Sequence, residues 1–189
     1  PFTEMKKHSF TVVIATTLFD LEDLKFTLSS MYHDIQENSG EIIIVVDGGL
    51  GNENKLVDFE KWLLRRDYAS NITTLKKEKS GLTKSLNYGI KSAQSEFIFR
   101  IDSGDIWLKG RVTKQLDLLY KGYDLVATTS IKLRNQTQEE LIHLLRIKNH
   151  IIHSSAAFRK TEYNEIMEVC QDYDLWLRFV RYNKAIFLH

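Results

Sequence analysis

The chain has 189 residues, a length that suits one domain with a sizeable hydrophobic core. Its 26 basic and 25 acidic residues nearly cancel, to a formal net charge of +1, so no general attraction to nucleic acid or to an anionic membrane is indicated. No apolar run approaches the ~20 residues needed to span a bilayer. The single Cys170 excludes an intramolecular disulfide and favours a reducing compartment.

The chain is expected to form one domain, because no Pro- or Gly-rich linker divides it. Residues 1–4 precede Met5 and are interpreted as a vector remnant, which leaves residues 5–189 as the predicted domain. Asn-x-Thr sequons at Asn71 and Asn135 are interpreted as chance matches, since no secretory signal is recognised.

The first half of the chain alternates between predicted strands and predicted helices. Runs rich in Val, Ile and Thr indicate buried strands, and apolar residues three or four positions apart indicate helices with one buried face. Asp20 is the expected N-cap of the first helix. The predicted strands are Phe10–Thr16, Glu41–Asp47, Asn71–Lys77 and Glu96–Asp102, and the helices between them are Asp20–Ile35, Asn54–Arg66 and Ser80–Gln94.

The apolar spacing also predicts which helical side chains face the core. In the first three helices these are Leu21, Leu24, Leu28, Met31, Leu56, Phe59, Leu63, Leu64, Leu82, Leu86, Ile90 and Ala93.

The second half is less regular. It predicts helices at Lys109–Gly122, Thr137–Asn149 and Gln171–Asn183, strands at Tyr123–Ser130 and Lys184–His189, and an extended segment at Ile151–Lys160. The inward residues of the last two helices are Leu141, Leu144, Leu145, Leu175, Phe179 and Val180.

This alternation predicts an α/β fold with an open, mainly parallel sheet and helices on both faces. In such sheets, ligands bind beyond the carboxyl ends of the strands. Asp47 and Asp102 end two predicted strands, and Asp105 follows the second, so all three lie at that end. They suit a nucleotide-sugar and divalent-metal site, since Mg²⁺ or Mn²⁺ takes one or two carboxylates plus phosphate oxygens. Alternatively, "DSGD" is a turn whose carboxylates cap local N–H groups.

Other candidate residues have structural interpretations as well. Asp172, in "CQDYDLWLRF", fits either a general base or a helix N-cap, and Asp174 does not share its helix face. His153 lies among apolar residues and favours a core histidine. No His or Cys spacing typical of a zinc site is present, and "GLGN" lacks the third glycine of a dinucleotide-binding motif.

Taken together, the segments resemble an inverting glycosyltransferase of family 2 with the GT-A fold, of the bacterial surface-polysaccharide type. The resemblance extends from about Phe10 to the end of the chain. It is carried by "FTVVIATTLFDLEDLKFTLSSM", "EIIIVVDGG", "GLTKSLNYGIKSAQSEFIFRIDSGDI", and "HSSAAFRK" followed by "QDYDLWLR". The chain departs from the family pattern at Val46, Gly104 and Gln171, where members carry acidic residues.

The resemblance implies a role for each candidate residue. Asp172 would be the catalytic base; Asp47, Arg100 and Asp102 would bind the donor; Asp105, with Asp102, would hold Mn²⁺ or Mg²⁺. Arg100 alternates in phase with Asp102 along the strand, so it is expected to contact either Asp102 or the donor.

The expected activity is transfer of a sugar from a nucleotide diphosphate, with UDP as the expected carrier, to a hydroxyl of a glycan or lipid-linked acceptor, with inversion. A cytoplasmic location with peripheral contact at the inner face of the membrane is expected, without a nucleic-acid partner. Two alternatives are a nucleotidyltransferase, for which the basic Gly-rich loop is missing, and a non-catalytic glycan- or partner-binding domain with a degenerate site.

Overall fold

The computed structural model of the chain describes residues 9–131, 137–167 and 169–188. The segment interpreted as a vector remnant, residues 1–4, and the sequon at Asn135 lie outside the described residues. Within the described part, no helix is both long and apolar enough to cross a membrane.

The elements follow the predicted order. The strands are β1 Thr11–Thr17, β2 Glu41–Asp47, β3 Ile72–Lys77, β4 Phe97–Arg100, β5 Leu125–Thr128, β6 Ala157–Arg159 and β7 Ala185–Leu188. The helices are α1 Leu21–Glu37, α2 Val57–Leu64, α3 Leu82–Ser92, α4 Arg111–Tyr120, α5 Gln138–Ile147 and α6 Gln171–Tyr182.

The strands form one sheet in the order β3-β2-β1-β4-β6-β5-β7. The pairs β3–β2, β2–β1, β1–β4 and β5–β7 are parallel, whereas β6 runs antiparallel to both β4 and β5. The predicted mainly parallel sheet is therefore confirmed, and β6 makes it a mixed one. Because β6 lies between β4 and β5, it joins the first half of the chain to the second.

Helices cover both faces of this sheet, as predicted. Side chains alternate along β2, so Ile42 and Ile44 pack in one hydrophobic cluster and Ile43 in the other. The first cluster contains residues of α1, α2 and α4, and the second contains residues of α3, α5 and α6. Strands β1, β2 and β4 are buried from both sides, which explains their continuous apolar runs in the sequence.

Helix α3 approaches the sheet closely at Gly89. A Cβ built on this glycine would lie 2.6 Å from Val13 Cγ1 and 3.1 Å from Val45 Cγ2. Any side chain at this position would push α3 away from β1 and β2. Gly89 therefore fixes the distance between the sheet and the helix whose first turn lies next to Asp47.

Several local predictions were wrong, and most of them concern element ends. Leu64 is 80% exposed and Leu82 is 43% exposed, because they are the last residue of α2 and the first of α3, where a helix face no longer meets the sheet. Asp20 precedes α1 but does not cap it, because its carboxylate accepts the Thr17 hydroxyl instead, at 2.6 Å. The segment expected to be extended contains a 3₁₀ turn at His153–Ser155 before β6.

Candidate functional site

Two of the predicted acidic residues lie at one edge of the sheet. Asp47 is the last residue of β2, and Asp102 lies two residues beyond the end of β4. Strand β1 pairs with both strands in parallel, so the three carboxyl ends point the same way. The topology therefore brings Asp47 and the Asp102 loop to the edge where parallel sheets bind ligands.

Asp47 anchors the loop that leads into α3. Its Oδ1 accepts the backbone N–H of Ser80 at 2.8 Å, and its Oδ2 accepts that of Gly81 at 3.0 Å. Lys77 Nζ lies 3.6 Å from Oδ1. Burial raises the pKa of Asp47, but these two backbone hydrogen bonds and the Lys77 charge outweigh it, so the pKa is held below its usual value. Asp47 is thus an ionised residue that orients two backbone amides at the start of a helix.

Asp102 is fixed from both sides. Arg100 Nη2 donates to its Oδ1, and Ser154 Oγ donates to its Oδ2 at 2.7 Å. Burial raises the pKa of Asp102, yet the Arg100 charge and these hydrogen bonds outweigh it and keep the pKa low. Its side chain remains 41% exposed, so an ionised and oriented carboxylate faces the solvent at the sheet edge.

Arg100 is fully buried beneath Asp102. Besides the ion pair, its Nη1 donates to the carbonyls of Val13 at 2.7 Å and Ile101 at 2.6 Å. Of the two partners expected for it, the structure shows Asp102. Arg100 therefore orients the carboxylate above it.

His153 completes the layer beneath Asp102. Its Nε2 accepts from Arg100 Nε at 3.2 Å, which assigns the ring proton to Nδ1, and Nδ1 lies 4.0 Å from Asp102 Oδ2. Burial and the neighbouring Arg100 charge lower the pKa of His153 to about 3, so the ring is neutral. The hydroxyl of Tyr163 lies 2.8 Å from Nε2. His153 is hydrogen-bonded and mostly buried, close to the core histidine that was expected, and it supports Asp102.

The turn between Asp102 and Asp105 is held by α1. The hydroxyl of Thr27 accepts the Gly104 N–H at 2.9 Å and donates to the Asp105 carbonyl at 2.9 Å. Gly104 has φ +93°, a conformation that L side chains rarely adopt. The Asp105 side chain is exposed and makes no hydrogen bond within the residues described. A free carboxylate therefore lies beside the fixed Asp102.

Sequence reasoning missed Arg111, the first residue of α4. Its guanidinium donates to Gln115 Oε1 and to the carbonyls of Ser154, Arg100 and Ala156, at 2.7–3.2 Å. Burial and the Arg100 charge lower the pKa of Arg111 to about 9, against the attraction of Asp34 and Asp105. Nothing in the "KGR" stretch predicts that Arg111 binds these carbonyls, since they come from other segments of the chain.

Asp172 lies in the first turn of α6, but it is not the N-cap that the sequence allowed for, because Cys170 holds that position. Its Oδ2 accepts Asn149 Nδ2 at 3.0 Å. Asp174 is paired instead with Arg178 Nε at 3.0 Å along the same helix. Both Asp102 and Asp172 raise the pKa of the buried Tyr163 hydroxyl, an effect smaller than that of burial itself. Tyr163 therefore lies within electrostatic reach of both candidate acids.

A cavity of about 350 Å³ adjoins Asp105. It is lined by residues of the Asp105 loop, α4, the end of β5 and the His153–Ser155 turn, among them Ile101, Ile106, Arg111, Thr128, Ile152 and Ser154. A larger cavity of about 750 Å³ lies at the edge of the sheet around β7 and contains none of the predicted site residues. The smaller cavity is the one next to the candidate chemistry.

The residues at this edge fit a divalent cation in a limited way. Within the described ranges, no group of three or more His, Cys, Asp and Glu side chains could hold a metal by itself. Mg²⁺, however, is commonly held by one or two carboxylates together with substrate phosphates. Asp105 offers an unbonded carboxylate and Asp102 a partly exposed one, so hard oxygen ligands are present for an ion that arrives with a diphosphate.

The comparisons with known proteins agree on one family. Residues 12–184 match the profile described as Glycosyl transferase family 2. An uncharacterized glycosyltransferase of Rickettsia conorii is 28% identical over 85% of this chain, which is 29% of the relative. The amylovoran biosynthesis glycosyltransferase AmsE of Erwinia amylovora is 28% identical over 84% of the chain and 64% of the relative. An Escherichia coli UDP-Gal:alpha-D-GlcNAc-diphosphoundecaprenol beta-1,3-galactosyltransferase has the same identity and coverage.

Solved structures share the fold. S. aureus TarS 1-349 in complex with UDP superposes with a TM-score of 0.67 at 16% identity, over 95% of this chain and 57% of that one. The mannosyltransferase PcManGT from Pyrobaculum calidifontis, in complex with GDP-Man and Mn2+, gives 0.64 at 14% identity, over 97% and 55%. The chain thus spans less than two thirds of the length of each of these proteins.

Proposed function

We propose that this chain, which belongs to glycosyl transferase family 2, binds a nucleotide-diphosphate sugar at the Asp47–Asp102 edge and transfers the sugar to a hydroxyl group. The observation that carries the proposal is the state of Asp102. Its carboxylate is ionised, oriented by Arg100 and Ser154, and exposed beside the unbonded Asp105. A fixed acid beside a free one suits a site that must hold a sugar nucleotide and an accompanying cation in one geometry.

For the donor, we assign the nucleoside to the side of Asp47 and the ribose and diphosphate to Asp102. Asp47 already holds the Ser80 and Gly81 amides, so its contact with the base or ribose would use the remaining lone pairs of the carboxylate. The UDP complex of TarS and the UDP-Gal named for the E. coli relative support UDP as the carrier. Arg100, which is buried, would act by orienting Asp102.

For the cation, we assign Asp105 as the main ligand and Asp102 as its neighbour. Mn²⁺ or Mg²⁺ bound there would neutralise charge on the departing diphosphate. The Mn2+ complex of PcManGT supports this assignment by fold alone.

For the transfer step, we assign Asp172 as the general base. The acceptor hydroxyl oxygen forms a bond to the anomeric carbon on the face opposite the diphosphate, and the proton passes to the Asp172 carboxylate. The bond between the anomeric carbon and the diphosphate oxygen breaks, and the nucleotide leaves with the electron pair, so the configuration inverts. General-base catalysis of this kind contributes about 10²–10⁴-fold. Gln171 cannot ionise, so Asp172 is the acid of this pair that can serve.

For the acceptor, we propose a glycan or lipid-linked hydroxyl in surface polysaccharide synthesis. The amylovoran and diphosphoundecaprenol names of the relatives support this class. Peripheral contact with the inner face of a membrane stays a prediction.

The test uses UDP release from UDP-N-acetylglucosamine and UDP-galactose with Mn²⁺, together with calorimetry of UDP binding. We expect release by the unmutated chain, its near-complete loss in Asp172→Asn, and unchanged UDP affinity in that variant. Asp174→Asn is the control, because Asp174 is paired with Arg178 on the same helix. Near-normal release by Asp172→Asn would move the base elsewhere.

A second candidate, a non-catalytic glycan- or partner-binding domain, is favoured by Gly104, which stands where members of the family carry an acidic residue. Binding of UDP that Mn²⁺ does not enhance, with no release from either sugar nucleotide, would favour it.

A further inference from the structure

We propose that Asn149 is a positioning residue for the Asp172 carboxylate, an inference that rests on the proposed function. Asn149 Nδ2 donates to Asp172 Oδ2 at 3.0 Å. The other oxygen, Oδ1, accepts no hydrogen bond within the described residues. Asn149 therefore occupies one carboxylate oxygen and leaves the other to receive the acceptor proton.

The orientation of the Asn149 amide is set by its own loop. Its side-chain oxygen accepts the backbone N–H of Ile151 at 3.1 Å, so the NH₂ group is the end that faces Asp172. The loop is also held against the end of β5, because Ser130 N–H donates to the His150 carbonyl at 2.8 Å and Ile152 N–H donates to the Thr128 carbonyl at 3.0 Å. The donor is thus fixed before any ligand binds.

Asp172 also belongs to a packed segment. Asp172 lies in the first turn of α6, and the next residue, Tyr173, donates its hydroxyl to the Leu145 carbonyl of α5. Leu145 and Trp176 are buried between these helices and the sheet. Because both partners belong to packed segments, the hydrogen bond forms with little further loss of side-chain freedom.

Asn149 carries no charge, and a neutral partner suits a carboxylate such as Asp172 that must accept a proton. A cation within a few ångströms commonly lowers the pKa of a carboxyl group by about 1–3 units, which weakens it as a proton acceptor. Across the described part of the chain, no cationic side chain forms an ion pair with Asp172. Arg178 is engaged by Asp174, and Arg100 by Asp102. An amide orients the carboxylate and preserves more of its basicity.

The alternative is that Asn149 only stabilises its own loop, by accepting the Ile151 N–H. Asn164 provides a matched control, because its side-chain oxygen accepts the Ile166 N–H at 3.1 Å in the same kind of turn. It bonds no carboxylate within the described residues. Asn149→Asp keeps the oxygen that accepts Ile151 N–H and removes the donor, whereas Asn149→Ala removes both.

The first measurement follows the Asp172 carboxyl carbon by NMR at a fixed pH. We expect its chemical shift to move in Asn149→Ala and in Asn149→Asp, because each variant removes the NH₂ group that donates to Oδ2. Asn164→Ala should leave it in place. An unchanged chemical shift in both Asn149 variants would overturn the proposal.

The second measurement is UDP release from UDP-N-acetylglucosamine and UDP-galactose with Mn²⁺. We expect kcat to fall about tenfold in both Asn149 variants with KM for the donor within about twofold, as for a group that acts only in the chemical step. Equal turnover in Asn149→Asp and the unmutated chain would overturn the positioning role. If the unmutated chain releases no UDP while the Asp172 carboxyl carbon signal still moves in the Asn149 variants, the glycosyltransferase proposal fails and the Asn149–Asp172 contact stands.

Discussion

Ser154 and Asp102 hold each other through two hydrogen bonds. The Ser154 hydroxyl donates to Asp102 Oδ2 at 2.7 Å and accepts the Asp102 backbone N–H at 3.3 Å. One short side chain thus fixes both the strand end and the carboxylate that it carries. Asp102 is placed by a residue from the other half of the chain as much as by its own strand.

We expect Ser154→Ala to weaken UDP binding about three- to tenfold, because Asp102 loses one of its two side-chain donors and becomes free to rotate. Ser155→Ala is the matched control, since the Ser155 hydroxyl bonds the Ile152 carbonyl at 2.7 Å and does not touch Asp102. Calorimetry with UDP and Mn²⁺ measures the difference. Equal losses in the two variants would mean that the 153–155 turn, and not the carboxylate, was disturbed.

We expect Asp47→Ala to lose UDP affinity and to lower the free energy of unfolding by about 2 kcal/mol, because two amides at the start of α3 lose a charged acceptor. Denaturant unfolding and UDP calorimetry measure the two effects separately. Asp58→Ala removes an exposed carboxylate from α2 and should change neither. Unchanged UDP affinity in Asp47→Ala would remove Asp47 from the donor site and leave it a structural role.

Asp102 and Asp105 should behave differently when Mn²⁺ is titrated against UDP binding. Asp105 has no hydrogen-bonding partner of its own in the described residues, so Asp105→Ala should lose the Mn²⁺ enhancement and keep the metal-free affinity. Asp102→Ala should weaken UDP even without metal and expose the Arg100 charge beneath it. Retained enhancement in Asp105→Ala would contradict this division of roles.

Stability should fall as the pH is lowered from about 6.5. In the unfolded chain His153 takes up a proton near pH 6.5, whereas in the folded chain its pKa is lowered to about 3. Between these values the unfolded state binds more protons, so unfolding becomes easier as pH falls, by at most ~1.4 kcal/mol per pH unit. Asp47 and Asp102 have lowered pKa values and add a further loss below about pH 4.

The change that checks this is His153→Gln, which keeps an acceptor for Arg100 and removes the titrating ring. Urea unfolding at pH 7 and pH 5 should show a smaller difference in this variant. His143→Gln, at an exposed position of α5, should behave like the unmutated chain. A pH dependence that His153→Gln leaves intact would show that the histidine does not carry it.

The sequence predicted the fold well, because β-branched runs and helical spacing reflect burial on a two-sided sheet. The bounds of β2 were predicted without error at Glu41–Asp47. Leu64 and Leu82 were placed wrongly, since a periodic pattern does not show at which residue a helix stops facing the core. The antiparallel direction of β6 could not be read from its residues, because strand direction depends on the path of the connecting chain.

The positions of the candidate acids could be predicted, whereas the residues that support them could not. Asp47 ends a strand, and Asp102 and Asp105 follow one, so their place in the chain alone brings them to the carboxyl ends of the parallel strands. Ser154 and Asn149 are short polar residues in loops, and nothing in their local sequence names a partner. The pair Asp102–Ser154 spans 52 positions and the pair Asn149–Asp172 spans 23, so both depend on the completed sheet.

Hydrogen exchange of one backbone amide beside the short strand β6 can report on the support of Asp102. Strand β6 has three residues, and the turn before it carries Ser154. The Arg100 amide donates to the Ala156 carbonyl at 2.8 Å, next to that turn. When β6 separates from β4, this amide becomes accessible to deuterium as Asp102 loses Ser154. The exchange rate of one buried amide would therefore measure how often the carboxylate is released from its support.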